Sequence, residues 1–361
     1  MINKETVLVL GAGASMDYGF PSGEGLLQDI VNILKGNLYD PGREITVITK
    51  CLIAYIACLY VWDKKNLSKA NTGDQDNDYK AMLECITTFE KRLIRSNAAS
   101  IDDFIDKLGE ENKELKVIGK ILIVFAISWY EKEDELFYKH EKVEKGHRYY
   151  GRSLSLTSCI SLARGWYNHL WEKIYDNDDI SQNLAKLTVI SFNYDRSFEQ
   201  YLFNGIRSMS NRSDQETADC INKHLVIHHV YGQLGKLPWQ DHDHEPVSEY
   251  KPLPILNILR AMEVVPEKTF SEYKRIDGFM KDQVEKILDI NIVCKIADAI
   301  RTYTEASKAE DHGKIIQRLS KAERLFFLGF GYHPQNIKWL KELLMQNNKQ
   351  LVYFGTTYKI T

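Results

Sequence analysis

Residues Thr6–Leu10 (TVLVL) constrain the fold more than any other feature of the chain. They form a β-branched and apolar run that stops at Gly11. A strand with no polar side is buried on both faces, which is the habit of parallel sheets. Beyond the glycine-rich turn, residues 25–34 (GLLQDIVNIL) carry apolar side chains at 26, 27, 30, 31, 33 and 34. That is a helical stripe, and it breaks down at Lys35-Gly36. The chain therefore opens with a β-turn-α unit.

Further strand signals come only after a long gap, at 187–192 (LTVISF), 225–230 (LVIHHV), 324–328 (RLFFL) and 350–354 (QLVYF). Strands spaced by helical sequence predict a parallel α/β sheet with helices on both faces and ligands at the carboxyl ends of the strands. Residues 37–185 read as a helical insertion, with 66–78 (NLSKANTGDQDND) as an exposed loop. Residues 256–320 form another mostly helical block, with turns at Pro266 and Gly278. The predicted domains are thus a Rossmann-like sheet from 1–36 and 186–361, and an insertion over 37–185.

A length of 361 residues suits one large domain with an insertion, or two domains, and 44% hydrophobic residues suit a folded chain. The net charge of −3 argues against a surface built mainly to hold nucleic acid. The six cysteines, Cys51, Cys58, Cys85, Cys159, Cys220 and Cys294, include no C-x-x-C pair, which removes the zinc-ribbon signal. The start of the chain lacks the pattern of a secretory signal, so a cytoplasmic protein is expected. Two apolar stretches, 47–62 and 117–129, fall short of the roughly 20 residues that span a bilayer and read as buried helices.

Five motifs sit at predicted strand ends. In Gly11-Ala12-Gly13-Ala14-Ser15, with Phe20-Pro21-Ser22-Gly23 following, glycines let the backbone turn tightly and approach a phosphate. Met16 stands where a dehydrogenase fingerprint has its third glycine, and no Gly-Lys-Ser/Thr closes a Walker loop. The same turn would also serve simply to pack strand against helix. In Ser191-Phe192-Asn193-Tyr194-Asp195, the Asn193 amide offers donor and acceptor to a ribose hydroxyl or a water. Asp195 either accepts from hydroxyls or caps the next helix. In His228-His229-Val230-Tyr231-Gly232, alternation puts His229 and Tyr231 on one face and His228 on the other. His229 is then the candidate for proton transfer, against a purely structural pair. His242 and His244 lie in a D-H-D-H-E tract that reads as a solvated loop. Gly329, Gly331 and Asn336 follow the fourth strand, and Gly355, Thr356 and Thr357 follow the fifth. Asp102, in SIDDFI, reads as a helix cap or first-turn charge.

Taken in order, G-A-G-A-S with F-P-S-G, S-F-N-Y-D, H-V-Y-G, L-G-F-G-Y and G-T-T-Y resemble the sirtuin superfamily. More narrowly, they resemble the bacterial sirtuin-like proteins of antiphage defence. The resemblance covers residues 1–35 and about 185–361. It implies that NAD is bound as substrate, its phosphates held by Gly11, Ala12, Gly13 and Ser15. Phe20, Pro21, Asp195 and Tyr231 would be further contacts. Gly329, Gly331 and Asn336 would line the adenosine half of the cleft, and Gly355 and Thr356 would close it. Asn193 takes the place of the family's catalytic Asn.

Deacetylating sirtuins carry I-P-D-F-R where this chain has Phe20-Pro21-Ser22-Gly23. They have histidine directly before the glycine where it has Tyr231, so the base is His229 or Tyr231. They also carry a four-cysteine zinc module that has no counterpart here. The expected function is therefore an NAD glycohydrolase that depletes cellular NAD and releases nicotinamide and ADP-ribose without a metal. An NAD-dependent deacylase and a non-catalytic NAD or ADP-ribose sensor are the alternatives. A homo-oligomer, and a HerA-type ATPase or other defence partner, are implied by the resemblance alone.

Overall fold

The computed structural model describes residues 2–35, 46–64, 75–133, 165–175, 180–240, 278, 290–307, 312–345 and 350–356. Five strands form one sheet: β1 (Thr6–Leu10), β2 (Leu187–Ser191), β3 (Val226–His229), β4 (Arg324–Leu328) and β5 (Val352–Gly355). All neighbours are parallel, in the order β3-β2-β1-β4-β5. This is an α/β, Rossmann-like arrangement. From β1 the chain order runs outward in both directions, so the β1/β4 boundary is the switch point at which such sheets leave a crevice.

The register aligns the strand ends that carry the motifs. Leu10 pairs with Ser191 on one side and with Leu328 on the other, and Ser191 pairs with His229. β1 takes the centre because its side chains have no polar face to offer. Val7, Leu8, Val9 and Leu10 are each at most 4% exposed. β2 is equally buried, whereas β5, at the sheet edge, is exposed along its whole length.

Contacts divide the chain into two compact units. One comprises Met1–Pro21, Glu133–Lys251 and Glu305–Thr361 and contains the sheet. The other comprises Ser22–Lys132 and Pro252–Thr304 and is helical among the described residues. The boundaries differ from the predicted ones at α1 (Gly23–Lys35). That helix buries Leu26, Ile30, Ile33 and Leu34 and packs on helices of the second unit. The short helices Trp166–Ile174 and Ile180–Ala185 belong with the sheet.

In the helical unit, α2 (Thr46–Lys64) and α5 (Lys113–Glu133) contain the two apolar stretches, with residues 51–58 buried on all sides. Among the described residues, no helix is long and apolar enough to cross a membrane. Part of the predicted loop at 66–78 is helical: α3 (Gln75–Arg95) starts at Gln75, with Asp76 and Asp78 complementing the dipole of its first turn. The rest of that loop lies outside the described residues. α4 (Ile101–Asp106) is capped by Ser100, whose Oγ accepts from the Asp103 N–H at 3.2 Å. Asp102 is a first-turn charge there, not the cap.

Candidate active site

The chain leaves β1 through Gly11 into two 3-10 turns, Ala12–Ala14 and Met16–Tyr18, and α1 begins only at Gly23. The glycines of this turn are dictated by a close backbone approach. A Cβ on Gly11 would lie 2.6 Å from the Gly329 carbonyl oxygen, and one on Gly13 2.9 Å from the Gly329 Cα. Gly329 itself has φ +56°, and a Cβ there would fall 1.9 Å from the Ala14 nitrogen. The amides of the turn are engaged internally. Gly11 N–H donates to Leu328 O and Gly13 N–H to Gly329 O, both at 3.0 Å. Ala14 N–H reaches Gly11 O at 2.8 Å, and Ser15 N–H reaches Ala12 O at 3.1 Å. The turn thus ties the ends of β1 and β4 together, and these four N–H groups face carbonyls of the protein. Phe20 folds back through its N–H to Ser15 O and is buried, with Pro21 half-buried beside it in sequence.

Asn193 lies just past β2 and is 7% exposed. Its Nδ2 donates to Gly11 O and to Ser15 Oγ, each at 3.0 Å. A backbone carbonyl only accepts, which fixes the nitrogen on that side of the amide. Asn193 Oδ1 is buried and has no partner. Ser15 is bonded in turn to the Asp195 carboxylate, which also accepts the Ser197 N–H at 3.1 Å and the Ser197 hydroxyl. Burial pushes the Asp195 carboxyl above its ordinary range, and the bonds from Ser197 and Ser15 pull it part of the way back. Asp195 therefore holds the start of helix Ser197–Met209, as a cap does, and also belongs to the Asn193 network.

The Ser197 hydroxyl donates to Asp195, so at Tyr167 the phenol is the donor and Ser197 Oγ, 2.7 Å away, accepts. Tyr167 stacks on Tyr18 with centroids 3.7 Å apart, and the Trp166 indole N–H donates to Ala14 O at 2.8 Å. Helix Trp166–Ile174 thereby braces the glycine turn from outside the sheet.

His229 ends β3 with both ring nitrogens occupied. Nδ1 is 2.9 Å from Asn193 O, and Nε2 is 2.6 Å from Glu199 Oε1. A carbonyl only accepts, so Nδ1 carries a proton and donates to Asn193 O, while Nε2 shares a hydrogen bond with the Glu199 carboxyl group. Burial alone would favour the neutral ring. The Glu199 carboxylate and the Asn193 carbonyl outweigh it and hold the His229 pKa above its ordinary value. The side chains of His229 and Glu199 are 8% and 3% exposed, so the pair is almost dry. Both ring nitrogens of His229 are engaged within the protein, and its ring fixes the backbone of Asn193.

The predicted alternation does not reach Tyr231. β3 stops at His229, and Gly232, at φ +82°, donates its N–H back to His229 O and closes a turn. Tyr231 is buried in that turn and its hydroxyl donates to Asn336 Oδ1, in the first turn of helix Pro334–Leu344. Its ring meets Phe192 edge-on at 5.7 Å. His228, on the face of β3 opposite His229, stacks with Trp339 at 5.9 Å, on the same helix that Tyr231 reaches.

Gly11, Ser15, Asn193, Asp195 and His229 thus belong to one bonded network, and Tyr231 with Asn336 forms a second link between strand ends. At the β4 side, Gly329 N–H donates to Thr356 Oγ1 at 3.0 Å, while Gly331, Gly355 and Thr356 stay exposed. Thr357 lies outside the described residues, as do His242 and His244. Among the described residues, no group of three or more His, Cys, Asp or Glu is placed to hold a metal ion.

Sequence reasoning missed Glu199, Ser197, Tyr167 and Trp166. Glu199 carried a usable signal, since an acidic residue in the first turn of the helix after Asp195 is within reach of a neighbouring strand end. The chain matches no protein-family model, no curated protein and no solved structure with which it was compared.

Proposed function

We propose that the sheet unit binds NAD at the carboxyl ends of β1, β2 and β4 and hydrolyses its nicotinamide glycosidic bond. The observation that carries this reading is the state of Asn193, whose nitrogen is clamped by Gly11 and Ser15 while its buried Oδ1 lacks a donor. An unpartnered buried acceptor costs about 1–3 kcal/mol, and a ribose hydroxyl or a water supplies the missing donor. The position, at a strand end beside the switch point, is where α/β sheets take nucleotides.

In the reaction the C1′–N bond breaks, nicotinamide leaves neutral, and a water held by Asn193 Oδ1 captures the cation at C1′. The proton of that water passes to solvent, because both ring nitrogens of His229 are engaged by Asn193 O and Glu199. Glu199 and His229 are positioning residues, and the Tyr231–Asn336 hydrogen bond ties the end of β3 to the helix that follows β4. The products are nicotinamide and ADP-ribose.

One observation favours a second reading, binding of NAD or ADP-ribose without turnover. Both ring nitrogens of His229 are already engaged within the protein, which leaves no free base for a hydrolytic step. Incubation with NAD followed by product chromatography separates the two. Wild-type protein is expected to release nicotinamide and ADP-ribose in equal amounts, and folded Asn193→Ala to lose that activity. Intact NAD with retained NAD binding would establish the second reading. Full activity in Asn193→Ala would remove the Asn193 mechanism.

A further inference from the structure

Every hydrogen-bonding group of Asn193 except Oδ1 is used within the sheet unit. Its backbone N–H donates to Ser191 Oγ at 3.1 Å, and its carbonyl accepts from His229 Nδ1 at 2.9 Å. Its side-chain nitrogen donates to Gly11 O and to Ser15 Oγ, and these two partners differ in kind. A carbonyl can only accept, whereas a hydroxyl gives or receives and so tolerates either end of an amide, unless its proton is claimed elsewhere.

The Ser15 proton is claimed by the Asp195 carboxylate, which is 7% exposed and also accepts the N–H and hydroxyl of Ser197. With its proton on Asp195, Ser15 Oγ has only lone pairs to show to Asn193. A turned amide would set Oδ1 against that oxygen and against the Gly11 carbonyl, two acceptors at 3.0 Å in a buried place. Holding the start of helix Ser197–Met209 occupies Asp195 with the Ser197 donors and gives no reason for the bond to Ser15.

We infer that Asp195 is a positioning residue: acting through Ser15 Oγ, it fixes the polarity of the Asn193 amide so that the acceptor end, Oδ1, is the one offered to a ligand. The inference rests on the proposed role of Asn193 and adds a specificity to it. The group that meets Asn193 is a donor, a hydroxyl or a water, and a phosphate oxygen is turned away. Ser15 then serves Asn193 and not the NAD phosphates, a different assignment from the one the sirtuin resemblance implies.

Exchanging the two side chains tests this without NAD. In Asn193→Asp a carboxylate with nothing to donate faces Gly11 O and Ser15 Oγ, and the melting temperature is expected to fall by about 5 °C or more. Adding Asp195→Asn frees the Ser15 proton for position 193, and the exchanged protein is expected to melt about 2 °C or more above Asn193→Asp. Asn193→Asp as stable as wild type, or an exchanged protein no more stable than Asn193→Asp, would overturn the inference. Relief of repulsion between two carboxylates would also raise the exchanged protein, so kinetics supply the second arm. Asp195→Asn is expected to lower kcat for nicotinamide release about tenfold or more, with a smaller change in KM. Ser15→Ala/Asp195→Asn is expected to lose no more than the larger single loss, because both act on one hydrogen bond. Unchanged kcat in Asp195→Asn, or losses that add, would refute the route through Ser15. If wild-type protein leaves NAD intact, the NAD reading fails alone, and the same cycle of Ser15 and Asp195 variants read by melting temperature, with additivity again the refuting result, decides the inference.

Discussion

Gly329 and Gly331 stand two residues apart in L-G-F-G-Y, and the structure gives them opposite sensitivities to an added methyl group. At Gly329→Ala the new Cβ would fall 1.9 Å from the Ala14 nitrogen and 2.2 Å from the Gly13 carbonyl carbon. Both are backbone atoms, so no rotamer change relieves the clash. The left-handed φ of +56° adds about 1–2 kcal/mol for an L-residue. Moving the turn away breaks the Gly11–Leu328 and Gly13–Gly329 hydrogen bonds, each with a net value of about 0.5–1.5 kcal/mol. The expected loss is therefore about 2–5 kcal/mol, a large part of the stability of an ordinary domain. At Gly331→Ala the Cβ would meet nothing within 4 Å, and the change is expected to stay within about 1 kcal/mol. Urea unfolding of both variants, with midpoints and slopes compared, measures the difference. If Gly329→Ala is within 1 kcal/mol of wild type, or Gly331→Ala is the more damaging, then the close approach of the turn to β4 does not govern this segment.

The His229–Glu199 pair predicts a pH dependence of stability. A histidine whose folded pKa is raised contributes fully below its unfolded value of about 6.5, and that contribution fades as pH rises through the folded value. Thermal melts of wild type should therefore weaken from pH 6.5 upward, and Glu199→Gln should flatten the profile over that window. An identical slope in the variant would show that the pair does not store the proton. Tyr167→Phe removes the donor to Ser197 Oγ but keeps the ring on Tyr18, so a loss of about 0.5–1.5 kcal/mol is expected, read from the urea midpoint at constant slope. A loss above 3 kcal/mol would mean that the phenol does more than complete Ser197.

Much of the sheet was legible because parallel strands advertise themselves. TVLVL and LTVIS lack a polar face, and each stops at a turn or motif. Strand ends were less legible: the strand read over 225–230 ends at His229, and the alternation of faces carried on to Tyr231 fails because a left-handed Gly232 turns the chain there. The motif glycines were recognisable, yet what they face was not. A sequence shows where a chain tolerates close approach, without saying whether a ligand or another backbone fills the space, and at Gly11, Gly13 and Gly329 it is backbone. Glu199 stayed hidden because its role depends on β3 lying beside β2, a contact between residues 30 positions apart.

The placement of β1 at the centre of the sheet has a consequence for synthesis. Its partners are Leu187–Ser191 and Arg324–Leu328, the second made about 300 residues after the first strand. At roughly 5–20 residues per second, the apolar TVLVL segment waits on the order of 15–60 seconds before β4 has been synthesised. A short, uncharged, β-prone segment exposed for that long is an aggregation hazard. The same hydrophobicity that buries β1 at the centre of the finished sheet leaves it in need of shelter on the nascent chain.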